Sequence, residues 1–509
     1  MNQLKGKGPW LLSFALVLCL FLVLGSTAVL ADEVLKVRNR LGMDITTMDP
    51  AHYTGPEYAI DMSVFAKLMR FKPGSSELEL DAAEYVEISD DNLIIEFRLR
   101  EGIQFHHGYG EMTAEDVKFS FERIIDPEVN SEYAADWAVL EEVEVTGRYT
   151  GRIILNDTYA PLFVSTIPYT PGSIISKKAF EELGDQFASR PVGAGPYQWK
   201  EWVPGQRIVL ERFEDYFGEK PSYRQIELYP MVEYEVAEMA FDRGDLHATE
   251  ISLDSYERYK ADPNTEIHLL STLRYHWLGF NHQKEPFNDI RVREAIRYAV
   301  DVDSVIAGAY AGIPPRNNTM LAPGILGYWE DAPHYEQDLD RARQLLAEAG
   351  FPDGLDTQIT VDSTAVHVDA AQIIQDQLRQ IGVNARINVV EAGAGYETMG
   401  RGDPEGMHYQ SFSAILDPGY WFEWFTTEQI GAWNYWKWSN EEFDELKVRG
   451  DLTIDPEERE QIYIRMQEII DEEVTCIWIT NGASIYVTKP GVDPSFLAHY
   501  PQYHYWTGE

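Results

Sequence analysis

Hydrophobic spacing changes most sharply across residues 94–121, IIEFRLREGIQFHHGYGEMTAEDVKFSF. Ile95, Phe97 and Leu99 alternate with Glu96, Arg98 and Arg100, the two-residue period of a half-buried strand. Glu101-Gly102 ends that period, and a loop holding His106, His107, Gly108 and Gly110 follows. Thr113-Ala-Glu-Asp116 has the form of a capping box, which supplies the orphan amides at a helix start. Val117, Phe121, Ile124 and Ile125 then give an apolar stripe, and Asp126-Pro127 stops the helix.

The same reading organises the rest. Residues 34–40 alternate as a first strand, residues 51–57 (AHYTGPE) form a loop, and a helix carrying Val64, Phe65 and Leu68 comes next. Short strands and a second strand pair near residues 143–155 make residues 56–185 an α+β unit of their own, with Pro161, Pro168 and Pro171 on its far side. Residues 235–245 predict a helix ended by Gly244, and residues 273–281 an apolar strand leading out of a first lobe. Asp289 caps a helix whose inner face is Val292, Ala295, Ile296, Ala299 and Val300. Helix 338–349, strand 357–362, helix 370–381 and the strand Val383, Ala385, Ile387, Val389 follow in order. Such alternation predicts an α/β layer with a mostly parallel sheet. Residues 393–406 read as a glycine-rich loop over a cleft. Residues 439–442 and 455–458 cap two later helices, the second with Ile462, Met466, Ile469 and Ile470 inward, and residues 476–487 form a final strand.

Charge narrows the partners. The net charge of −42 repels phosphate and argues against nucleic acid. The acids are spread along the chain, which favours a solvated surface over a cation-binding face. At the N-terminus Lys5 and Lys7 precede an apolar run, residues 10–25, and the small residues Val29 and Ala31. These predict a secretory signal peptide cut after Ala31, with an uncleaved anchor as the alternative. Cys19 lies inside that run, so Cys476 would be the only cysteine of the mature chain and no internal disulfide is available.

Reactive constellations are scarce. The sequence has no GxxxxGK[ST], HExxH or GxSxG. His106-His107 is the only adjacent histidine pair and lacks nearby ligands. No catalytic residue, metal site or cofactor is therefore expected. The aromatic run Tyr420, Trp421, Trp424, Trp433 and Trp436 is the functional candidate that stands on residue chemistry alone, since flat apolar faces with polar edges suit an amphipathic solute. Trp421, Trp424 and Phe425 are also spaced as the core face of a helix, so each ring has two readings.

Three strings resemble one family. They are residues 94–121, residues 190–218 (RPVGAGPYQWKEWVPGQRIVLERFEDYFG) and residues 286–303 (PFNDIRVREAIRYAVDVD). Together they are similar to the solute-binding proteins of peptide- and nickel-type ABC importers, with Ala194 and Phe213 departing from the usual residues. The resemblance implies an α/β, two-lobed periplasmic binding protein fold of the large peptide-binding type with an additional α+β subdomain. Lobe I would comprise residues 32–55, 186–275 and 480–509, the subdomain residues 56–185, and lobe II residues 276–479. It implies a monomeric periplasmic protein that closes on a small solute and delivers it to membrane permease subunits. It further implies that Tyr53, Thr54 and Gly55 reach toward the solute. Peptide-binding relatives pair the peptide amine with an aspartate three positions before a D/E-P dipeptide; here the dipeptide is Asp417-Pro418 and that position is Ala414. Asp417 or Glu423 is a candidate for a cationic group, and Arg401 for a carboxylate. A periplasmic hydrolase and a sensor presenting ligand to a chemoreceptor are the competing readings.

Overall fold

The structure, a computed structural model, describes residues 34–53, 55–391, 396–402 and 404–508. The signal-peptide segment, Cys19, Thr54 and part of the glycine-rich loop 393–406 lie outside the described residues. No helix among the described residues is long and apolar enough to cross a membrane.

Two sheets define two lobes. The first has seven strands in the order Glu266–Ser271, Ala483–Thr488, Ala248–Ile251, Val34–Arg38, Gln225–Tyr229, Arg207–Arg212, Tyr197–Val203. The second has five, ordered Val383–Val390, Leu355–Asp362, Met407–Ser413, Arg274–Phe280, Cys476–Thr480. The chain passes between them at Thr272-Leu273 and again at Asn481-Gly482. These crossings are tied side by side: Thr272 Oγ1 donates to the Asn481 carbonyl, and Asn481 Nδ2 donates to the Arg274 carbonyl at 3.1 Å. Arg274–Phe280, expected to lead out of the first lobe, lies wholly within the second sheet, so the first crossing precedes it.

The second sheet is mixed, not mostly parallel. Leu355–Asp362 runs parallel to Val383–Val390, as the intervening helix Ala365–Arg379 requires, and parallel to Met407–Ser413. Arg274–Phe280 is antiparallel to both of its neighbours. It is delivered from the other lobe, so no helical crossover sets its direction.

Residues 94–121 fold as their spacing predicts. Ile95, Phe97 and Leu99 face inward from Ile94–Leu99, a strand of the antiparallel four-stranded sheet completed by Ala83–Ile88, Leu140–Val145 and Thr150–Leu155. The capping box is present: the Thr113 amide and hydroxyl donate to Asp116 Oδ2 at 2.9 and 3.0 Å, opening the helix Ala114–Ile125. This unit shares one core with the seven-stranded sheet, where Phe97, Val117 and Phe121 join Leu35, Val37 and Ile226. The turn before Tyr197–Val203 needs glycine, because a Cβ on Gly193 would stand 2.1 Å from the Val64 carbonyl oxygen. His106 locks the same turn by donating Nε2–H to the Gly195 carbonyl at 2.9 Å, and lies edge-on to Phe213. Asn440, not Ser439, caps the helix Glu441–Leu452, its Oδ1 accepting from the Phe443 amide at 3.0 Å. Cys476 is a buried free thiol.

Candidate functional site

The lobes meet in a crevice beside the two crossings. Val164, Ser165, Tyr169, Leu497 and Tyr500 wall it on one side, with Leu273, Ile415 and Leu416 on the other, leaving room for about one water molecule. Tyr58, Tyr169 and Tyr500 form a trio of rings with centroids 5.5–6.4 Å apart. A backbone bond from the Ala160 amide to the Asp451 carbonyl, 2.8 Å, clamps the edge.

Two arginines flank the crevice, one from each lobe: Arg40 against the lining ring of Tyr500, and Arg274 next in the chain to Leu273. Arg40 follows the strand Val34–Arg38, where Leu41 (φ 60°) and Gly42 (φ 66°) turn the chain sharply. Its Nη1 donates to the Gly55 carbonyl at 2.8 Å, and its guanidinium lies 4.4 Å over the Tyr500 ring and 5.6 Å over Tyr58. Its Nε is buried without an acceptor. Arg274 opens the strand Arg274–Phe280 and is held by two hydroxyls, Ser411 Oγ at 3.1 Å and Ser413 Oγ at 2.8 Å. It is surrounded by protein yet open to solvent, the situation of a side chain lining a cleft. Burial pushes its pKa down, and the charge of Arg40 pushes the same way. Between them His499 stacks beside Tyr500 at 4.3 Å and accepts the Leu273 amide at Nδ1, 3.4 Å. Burial, then Arg40 and Arg274, hold its pKa down at about 3.

The neighbouring acids are already engaged. Asp362 accepts from His367 Nδ1 at 2.9 Å; burial raises its pKa, but the His367 bond and charge outweigh that and leave it low. Glu250 holds Arg38 and Ser484, and Glu423 pairs with Lys447 at 2.9 Å. Behind Arg274, His276 Nδ1 meets the Tyr310 hydroxyl at 2.9 Å, and that hydroxyl meets Tyr409 at 2.8 Å. Among the described residues no three His, Cys, Asp or Glu side chains group as metal ligands.

The aromatic run divides in two. Trp421 and Trp436 are fully enclosed, so their expected role as solute contacts gives way to the core. The Trp421 indole donates to the Ile415 carbonyl at 2.7 Å and stacks on Tyr275, and Trp436 stacks on Phe425 at 3.7 Å. Tyr420, Trp424 and Trp433 instead form an open ladder, with centroids 5.3 Å apart for the first pair and 5.4 Å for the second. Tyr420 is 38% exposed and Trp433 37%. Burial, then Tyr58, Asp136 and Tyr500 of the facing lobe, push the Tyr420 pKa up to about 12.

The other expected contacts fare unevenly. Tyr53 is a core ring whose hydroxyl donates to the Met48 carbonyl at 3.3 Å, so it does not reach outward. Gly55 acts through its carbonyl on Arg40. Asp417 is buried against Arg459 at 2.9 Å and caps Gly419 at 2.8 Å, which spends both of its oxygens inside the lobe. Arg401 is exposed beside Glu397 at 3.3 Å. Arg40 and Arg274 were missed from the sequence, because only the return of the chain across the lobes brings them together.

A family profile described as bacterial extracellular solute-binding proteins, family 5 Middle, matches residues 77–433. Heme-binding protein A of Haemophilus influenzae is 28% identical over 476 residues, covering 85% of this chain and 84% of that protein. The glutathione-binding protein GsiB of Salmonella typhimurium is 27% identical over 456 residues, covering 85% of this chain and 86% of its own length. The fold is similar to that of the periplasmic binding protein DppA from Helicobacter pylori in complex with the peptide STSA, with a TM-score of 0.77 and 29% identity over 94% of this chain and 98% of that one. The chain belongs to the family 5 bacterial extracellular solute-binding proteins, the binding components of ABC importers.

Proposed function

We propose that this chain is exported, acts as a monomer without catalysing turnover, and captures a small peptide-like or other amphipathic solute in the crevice between its lobes. Residues 1–31 serve as the cleaved leader. The single observation carrying this reading is the crevice itself, lined by Tyr169 and Tyr500, with Tyr58 and Arg40 packed on Tyr500 and Arg274 next in the chain to the lining residue Leu273, beside the two crossings. With room there for about one water, entry of solute requires the lobes to part, and the narrow double crossing is the natural hinge. The relatives whose names mention heme, glutathione and a tetrapeptide set the range of solutes to try.

The test is a melting-temperature screen of the exported protein with glutathione, short peptides, heme, oligosaccharides, opines and metal chelates. Binding to the folded state alone raises stability by about 2.7 kcal/mol at a hundredfold excess over Kd. At least one class is expected to raise the melting temperature, and Tyr420→Ala or Trp424→Ala to abolish that rise while leaving the ligand-free transition in place. A protein that no class stabilises refutes the assignment.

A further inference from the structure

We infer that the crevice selects an anionic solute and grips a carboxylate or similar oxyanion between Arg40 of one lobe and Arg274 of the other. This rests on the proposed function and adds to it the charge of the solute and the two groups that hold it.

The first support is how unusual the two cations are in this chain. Acidic residues outnumber basic ones 84 to 42, and among the described residues four of the buried arginines take carboxylates, Arg38 with Glu250, Arg123 with Asp49, Arg297 with Asp471 and Arg459 with Asp417, while Arg293 is held by backbone carbonyls inside the second lobe. Among the described residues neither Arg40 nor Arg274 forms an ion pair. Arg40 has one carbonyl and two ring faces, and Arg274 has two serine hydroxyls. Hydroxyls and ring faces orient a guanidinium without cancelling its charge.

The second is their placement. A short path links them: Arg40 lies on Tyr500, Tyr500 on His499, and His499 accepts from Leu273, the residue before Arg274. Two like charges facing one crevice repel, and the repulsion grows where water is scarce. The acids Asp362, Glu250 and Glu423 are each committed to another partner, His367, Arg38 and Lys447 respectively. His499 is held neutral, so it adds no third charge. The crevice therefore carries a positive excess that a bound anion relieves. Arg40 Nε, buried without an acceptor, leaves an unused donor on a planar fork suited to an oxyanion.

The consequence is a link between binding and closure. One guanidinium belongs to each lobe, so an anion held by both is bound fully only when the lobes are together. A neutral analogue lacks that preference for the closed state, and a ligand shifts an equilibrium only by its differential affinity for the two states.

The test is calorimetric titration of the exported protein with glutathione against its diethyl ester, and with short peptides carrying free against amidated C-termini. The free acids are expected to bind about tenfold or more tightly than their neutral forms, as a charge-assisted hydrogen bond implies. Arg40→Gln and Arg274→Gln should each remove most of that preference, Arg274→Lys should restore part of it, and the preference should shrink with added salt. Unfolding midpoints of the variants report whether the lobes remain intact. If esters and amides bind as tightly as free acids, and both glutamine variants keep wild-type affinity, the anion inference is overturned while the cleft reading stands. If no probe binds in either form, the anion inference falls, and the cleft reading falls with it only when the wider melting-temperature screen is also negative.

Discussion

Removing the Asp417 carboxylate should destabilise the second lobe and leave the solute crevice untouched. Asp417 and Arg459 are 1% and 3% exposed, with Arg459 Nη2 2.9 Å from Oδ2 and 3.2 Å from Oδ1. Asp417 Oδ1 also accepts the Gly419 amide at 2.8 Å, capping Pro418–Glu423. Asp417→Ala strands a guanidinium that retains the Gly450 carbonyl and the Tyr463 hydroxyl. Breaking a buried pair costs about 3–5 kcal/mol, and losing a cap a further 0.5–2 kcal/mol or so. Those retained bonds to Arg459 hold the expected total near the lower end, about 4 kcal/mol. Asp417→Asn keeps an acceptor for Gly419 and should cost roughly half as much, because only the charge is lost. Urea unfolding followed by tryptophan fluorescence measures both, and Asp417→Asn with Arg459→Met completes a double-mutant cycle. A loss below about 1 kcal/mol in Asp417→Ala refutes the assignment of this pair to the core. So would weakened solute binding with unchanged stability, which would return Asp417 to the cleft as a contact for a cationic group.

Acid should weaken the fold before the carboxylates titrate. His106, His282, His408, His499 and His504 are each held at about 3 by burial, against an ordinary value near 6.5. Below about pH 6.5 the unfolded chain takes up protons that the folded chain refuses, so this stability is complete above that pH and is lost progressively toward pH 3. His106→Asn, which keeps a donor for the Gly195 carbonyl, should flatten the fall between pH 6 and 5 by up to about 1.4 kcal/mol per pH unit; an unchanged slope would mean that His106 is charged or exposed. Gly193→Ala drives a Cβ to 2.1 Å from a backbone oxygen and should cost about 1–3 kcal/mol in thermal unfolding; a neutral result would show that the turn is free to move.

What the sequence revealed divides along the range of the physics involved. Ile95, Phe97 and Leu99 were legible because their burial is set by a two-residue period within one strand, and Thr113 because a cap acts within three residues. Ser439 and Asn440 are adjacent side chains able to cap, and the chain's approach to the helix, not local chemistry, chose Asn440. Sheet direction was misjudged where Arg274–Phe280 enters from the other lobe, since alternation of helices and strands says nothing about a strand that no helix delivers. In the aromatic run, Trp421, Trp424 and Phe425 looked like one helical face. The structure separates Trp421 with Phe425, turned inward, from Tyr420 with Trp424, which are left partly open to solvent. Both pairs are four residues apart, so the spacing fits either stripe, and only the packing of Tyr275 and Trp436 decides which one is buried. Arg40 and Arg274 are the extreme case. Locally each is one arginine near a strand end in a strongly acidic chain, and solvated pairing is the ordinary outcome. Their unpaired state depends on Tyr500 and His499, which the chain brings back beside them only near its end. Core residues are written in short-range periodicity, whereas a cleft's charge depends on which acids the completed fold leaves uncommitted.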